Sequence, residues 1–284
     1  MDQIIDSQDL KIKIPIKLKP VLHGLAITIT YGECVENHPK MEKLGKISQQ
    51  GFTLNDLINC QKWFQGSGTV CELHHLNEAL IETGHEAKEA YLLIIRKGVD
   101  ILLRESEKTT KDMMNEMRSF EWDTQAIMKT KLVNKHARHN VCFAEEPRGP
   151  DLKNGKGTII AFNSVFCTNV IRDKLGSLLG HRAKHLLAEG NRYADVAVNG
   201  IGFHGDSERS KVIGVRIGQS FPLHYQWFIR FKPVGKTIKF MLNDGDIYVM
   251  SEKAVGKDWR CSSFLTLRHA AGASKYLVIK KEIK

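Results

Sequence analysis

The chain has 284 residues, 42% of them hydrophobic, enough for one large core or two modest ones. Lys and Arg number 42 against 32 Asp and Glu, and the resulting net charge of +10 favours polyanionic partners. No apolar run approaches the roughly 18 residues of a membrane span, the charged N-terminus lacks a signal-peptide core, and the six cysteines show no C-x-x-C spacing. A reducing compartment, cytoplasmic or nuclear, and no membrane partner are expected.

In chain order, residues 1–20 alternate Lys and Ile around Pro15 and Pro20, the pattern of an extended edge strand or arm. LAITITYGE, residues 25–33, predicts a strand closed by Gly32. In GFTLNDLINCQKWF, Thr53 caps a helix with Asp56 three residues on. Leu54, Leu57, Ile58, Cys60 and Trp63 form its apolar stripe, and Gly66-Ser67-Gly68 ends it. AKEAYLLIIRKGVDILL fits strand or helix by periodicity, and is read as a strand from Tyr91 to Arg96 followed by a helix. From Glu105 to Thr130 the charged, Met-rich chain lacks Pro and Gly, which predicts a helix with Met113, Met114 and Met117 in the core. These first 130 residues carry no catalytic motif.

Between 131 and 164, Pro147, Gly149, Pro150, Gly155 and Gly157 mark loops separating short apolar segments. His136, Arg138, His139 and Arg148 add cationic or stacking groups, as a basic surface hairpin would. Residues 165–190 predict an amphipathic helix. His181 and His185 lie four apart on it, but no Glu follows His181, and both read as solvated. Cys71 and His74 lack a second pair at zinc-finger spacing.

The segment NRYADVAVNGIGFHGD, from Asn191 to Asp206, carries the chemistry. His204 and Asp206, two apart on a strand, point to one face and can reach one metal. Asn191 and Tyr193 alternate on a neighbouring strand and can both donate hydrogen bonds to a carboxylate. Several short alternating strands follow, with turns at Gly218, Pro233–Gly235 and Asn243–Gly245, a succession suited to a jelly-roll barrel. Tyr225, Trp227 and Phe228 read as barrel filling. Lys275 to Lys281 reads as a last strand with both lysines facing inward, where a cation can pair with a dicarboxylate. With His269, these groups offer two imidazoles and one carboxylate. That set occupies one face of an octahedral Fe(II) and leaves three positions for a bidentate 2-oxo acid and dioxygen.

NRYAD, GIGFHGD, GDIYVM and HAAGASKYLVIKK, in this order, resemble the AlkB-type branch of the 2-oxoglutarate- and Fe(II)-dependent dioxygenases. The resemblance implies His204, Asp206 and His269 as iron ligands, with Asn191 and Tyr193 on the 2-oxoglutarate. Lys275 and Lys281 stand where the family has arginines for its two carboxylates, and lysine keeps the charge without the two-pronged geometry. An alternative register makes Arg268 the carboxylate partner and leaves His269 off the metal; the first register is preferred because it also accounts for the last strand.

The resemblance implies an α+β chain in which a double-stranded β-helix (jelly-roll) catalytic domain, 131–284, follows a mixed, helix-rich extension, 1–130. It also implies oxidative demethylation of an alkylated base in DNA or RNA, with Arg138, His139, Phe143 and Phe162 near the substrate. A hydroxylase of protein or small molecules, or a basic nucleic-acid-binding protein with a vestigial iron site, are the alternatives.

Overall fold

The computed structural model describes residues 24–128 and 131–279. The arm expected over residues 1–20, and Lys281, lie outside the described residues. The strands are β1 (Ala26–Gly32), β2 (Cys34–Glu36), β3 (Lys43–Gly45), β4 (Cys71–His75), β5 (Tyr91–Ile95), β6 (Gln125–Met128), β7 (Lys131–Asn134) and β8 (His139–Ala144). They continue as β9 (Ile159–Ala161), β10 (Leu187–Tyr193), β11 (Gly200–His204), β12 (Val212–Gly218), β13 (Phe221–Ile229), β14 (Lys232–Leu242), β15 (Ile247–Met250) and β16 (Thr266–Gly272). The helices are α1 (Leu54–Gly66), α2 (Gly98–Leu103), α3 (Thr110–Arg118), α4 (Phe166–Leu178) and α5 (Ser274–Leu277).

An eight-stranded sheet of order β4-β5-β15-β12-β1-β10-β8-β9 faces a four-stranded sheet of order β11-β16-β13-β14. Among the paired strands only β8–β9 is parallel, so the protein is α+β and dominated by antiparallel sheet. Strand alternation divides the core in two. Ile27, Ile29 and Tyr31 of β1, with Ile213, Val215 and Ile217 of β12, face outward and pack with residues of α1 to α4. The opposite face of the same sheet sends Leu92, Ile94, Val212, Tyr248 and Met250 against Tyr225, Trp227 and Leu267 of the smaller sheet. Thr53 and Thr109 each close a complete capping box at the start of α1 and α3, a contribution of about 1 kcal/mol apiece.

Residues on both sides of position 130 build the larger sheet, so the 1–130 segment shares a sheet with the rest of the chain instead of standing apart from it. The helix expected over 105–130 is confined to α3, and β6 begins at Gln125. The helix expected over 165–190 ends at Leu178, after which Gly180 takes a left-handed φ of 65° and the chain enters β10. The turn expected at Pro233–Gly235 falls at Arg230 and Phe231, both at positive φ. Pro233 is accommodated because β14 is an edge strand, where a missing donor is tolerated.

The last strand expected from Lys275 is also absent: Ser274–Leu277 forms α5. Between β10 and β12 the larger sheet holds β1, antiparallel to both.

Candidate metal and anion site

His204 ends β11, and its pairing partner across the β11–β16 ladder is His269. Their rings lie 4.5 Å apart, centre to centre. Asp206 follows by two residues, and its Oδ1 is 3.4 Å from His204 Nε2 and 3.6 Å from His269 Nε2. One ligand atom from each of the three lies within 4.8 Å of the others, a separation that can hold a single metal ion. The His204 Nδ1 donates to the Gly202 carbonyl at 2.9 Å, which fixes the ring with its Nε2 toward Asp206. Gly205 makes the turn between the ligands possible: a Cβ there would stand 2.0 Å from the Gly256 carbonyl oxygen.

The electrostatics suit a cation. Burial alone would raise the Asp206 carboxyl, but Arg209 and the two imidazoles outweigh it and hold the group well below the usual carboxylate range. Burial, with His204 beside it, lowers His269, which keeps that imidazole neutral and able to ligate. Asp206 turns Oδ2 toward Arg209, whose Nε is 3.7 Å away, and the same guanidinium binds Glu189 at 2.8 Å and Glu208 at 2.7 Å. Arg209 thus ties one metal-competent carboxylate to two buried neighbours.

The trio opens into a cavity of about 460 Å³ between the two sheets. Its floor on the larger sheet is a single cross-strand row: Asn191 on β10, Thr28 on β1 and Arg216 on β12. Neighbouring strands lie about 4.8 Å apart, so the row is continuous. Asn191 Oδ1 accepts from Arg138 Nε at 2.6 Å and from Asn140 Nδ2 at 2.8 Å, and Asn191 Nδ2 donates to Glu189. The amide is therefore fixed, with one further hydrogen to give.

Arg216 is 1% exposed, and its Nε and Nη1 have no hydrogen-bond partner among the described residues. Its Cζ lies 4.8 Å from the centre of the Phe221 ring and 5.9 Å from that of Tyr193. Thr28 Oγ1, opposite it, is likewise buried and unpartnered. A buried cation costs several kcal/mol unless it is compensated; the Phe221 and Tyr193 rings offset part of that cost, and an anion in the cavity could pair with the rest.

The expected residues fare unequally. His204, Asp206, His269, Asn191, Tyr193 and Arg138 all line this one cavity. Lys275 does not: it is exposed on α5 with its Nζ 5.2 Å from the Tyr276 ring. Arg268, one residue before His269, points to the other face of β16 and stacks on Phe228 at 4.1 Å. His139 faces away from the cavity and accepts from Arg192 at 3.3 Å. Phe143 and Phe162 are not available to stack on a base, because both are buried in the outer core with ring centres 6.2 Å apart.

Arg216 and Thr28 went unread. The signal was there in VIGVRIG, where Arg216 falls in register opposite to the apolar Ile213, Val215 and Ile217.

Fold and site together define an α+β protein with a metal-competent His-Asp-His group in a cavity between two sheets. No family model matches the chain. It is 44% identical over 252 residues to "Uncharacterized protein R156" of Acanthamoeba polyphaga mimivirus, across 88% of this chain and 97% of that protein, and it belongs to the same family.

Proposed function

We propose that this protein is an Fe(II)- and 2-oxoglutarate-dependent dioxygenase of AlkB-like type. The observation that carries the reading is the pairing, in one cavity, of the His204-Asp206-His269 group with the unpaired, buried guanidinium of Arg216. After β10, successive strands alternate between the sheets: β11 in the smaller, β12 in the larger, β13 and β14 in the smaller, β15 in the larger, β16 in the smaller. That winding supports a double-stranded β-helix, with β1 taking the slot of its closing strand.

Two imidazoles and one carboxylate suit Fe(II), which would supply open positions for the oxo acid and dioxygen. Arg216 and Thr28 would hold the distal carboxylate of 2-oxoglutarate, and Asn191 would donate to its other end. Arg209 would keep Asp206 ionised and turned to bind through one oxygen. In the balanced reaction, 2-oxoglutarate, dioxygen and a C–H bond give succinate, carbon dioxide and a C–OH group. One atom of dioxygen enters the succinate and the other the alcohol.

The substrate we propose is an N-alkylated base in DNA or RNA, whose hydroxylated carbon leaves as an aldehyde. The net charge of +10 and the placing of His38, Arg138, Trp259 and Arg260 on the cavity support a flipped base entering there. The test is succinate formation with Fe(II), against methylated and unmethylated single strands, with the His204→Ala variant alongside. Succinate produced equally by that variant would remove the iron site from the reading. Turnover on peptides alone would keep the oxygenase and replace its substrate.

A further inference from the structure

The outer face of the larger sheet carries a second cleft, of about 400 Å³, built on the same strand as the first. Asn191 and Tyr193 of β10 point into the inner cavity, and Arg192 between them points outward. The cleft's base is Leu25, Ile27 and Met117, its wall is Phe120 and Trp122, and Arg118 and Arg192 stand at its rim with Glu121 and Thr124.

The aromatic wall is set in place. Trp122 Nε1 donates to the Met117 carbonyl at 3.0 Å, and its ring lies on the backbone of Gly190, where a Cβ would come within 2.8 Å of it. Phe120 sits 5.6 Å from the Trp122 ring, tilted by 31°.

The two guanidiniums are close enough that Arg118, after burial, is the second cause lowering Arg192. Neither makes an ion pair with a carboxylate among the described residues, and the partner of Arg192 is the neutral ring of His139. Two guanidiniums on one cleft beside an apolar base, against the single carboxylate of Glu121, suit an anion that also presents a flat, weakly polar surface. A phosphate attached to a heteroaromatic ring meets both demands.

We infer that this outer cleft binds one nucleotide of a single-stranded nucleic acid, its base against Phe120 and Trp122 and its phosphate between Arg118 and Arg192. The chain's excess of 42 basic over 32 acidic residues favours a polyanion over a free mononucleotide. The inference does not rest on the oxygenase reading, and its test needs no metal and no turnover.

Binding of an unmodified single-stranded dodecanucleotide to the full chain, without iron, is followed by quenching of tryptophan fluorescence. Quenching is expected to fall in Trp122→Phe to the part that Trp259 contributes at the inner cavity, while a fluorescent label on the strand still reports binding. In Arg118→Gln/Arg192→Gln the affinity should fall at least tenfold, and the slope of log affinity against log salt should flatten by about 0.7 per arginine removed. Phe120→Leu should weaken binding roughly tenfold with no change in salt slope. An unchanged salt slope in the double variant, with its circular dichroism unaltered, overturns the inference. So does a nucleoside 5′-monophosphate binding as tightly as the dodecanucleotide, since the cleft would then serve a free nucleotide.

Discussion

Thr28 and Arg216 are directly paired across β1 and β12, and both carry buried polar atoms that no described group satisfies. Strands far apart in the chain thus bring a hydroxyl and a guanidinium to one spot on the cavity floor. Such a pair is held against its own desolvation cost, which an anion bound in the cavity would offset.

Replacing Arg216 with Met should therefore separate stability from binding. The metal-free protein is expected to melt at the same or a higher temperature, because an unpaired buried cation is replaced by an apolar chain of similar length. Affinity for 2-oxoglutarate should drop roughly ten- to hundredfold, the equivalent of about 1.5–3 kcal/mol for a charged hydrogen bond. Calorimetric titration beside thermal unfolding checks both. A large loss of stability with unchanged affinity would make Arg216 a structural residue.

Thr28→Val keeps the shape and removes the hydroxyl. The KM for 2-oxoglutarate should rise about two- to tenfold, matching a net hydrogen bond of about 0.5–1.5 kcal/mol, with kcat little altered. An unchanged KM would take Thr28 out of the carboxylate site.

What could be read from the sequence was local. His204 and Asp206 declared themselves by their spacing on a strand, as did Asn191 and Tyr193, since alternation needs no knowledge of partners. LAITITYG was legible as a strand, but not its insertion between β10 and β12, because a pairing across more than 150 residues leaves no trace in local pattern. The run from Lys275 was read as a strand from its apolar, β-favouring pattern alone, yet Ser274–Leu277 turns as a helix and leaves Lys275 exposed. Phe143 and Phe162 were misread for a related reason: hydrophobicity alone does not tell which sheet face a helix layer covers.

The acid-base behaviour of Glu36 gives a pH prediction. Burial, reinforced by Glu208, pushes its carboxyl from 4.5 up to about 7. Between those values the folded state keeps a proton that the unfolded chain has lost, so this group's contribution to stability declines as pH rises through the window. Glu36→Gln should flatten the change of melting temperature between pH 4.5 and 7 and raise the melting temperature at pH 8. Parallel profiles for the two proteins would show that Glu36 ionises normally.

Arg209 offers the sharpest test of how the metal group is held. Its guanidinium is 3% exposed and lies against Asp206, Glu189 and Glu208, and these carboxylates together with burial set its own proton affinity. Arg209→Met would leave three buried carboxylates without their cation, a loss of about 3–5 kcal/mol by comparison with other broken buried ion pairs. Asp206 would no longer be held far below its usual range, so protons would compete with the metal at a higher pH than in the unaltered chain. Unfolding in urea at neutral pH measures the first effect, and Fe(II) or Co(II) titration at several pH values measures the second. Bound metal should partly restore the variant's stability, because a divalent ion supplies positive charge to Asp206 from the other side. If the variant unfolds at the same urea concentration as the unaltered protein and binds metal with the same pH dependence, Arg209 does not govern Asp206.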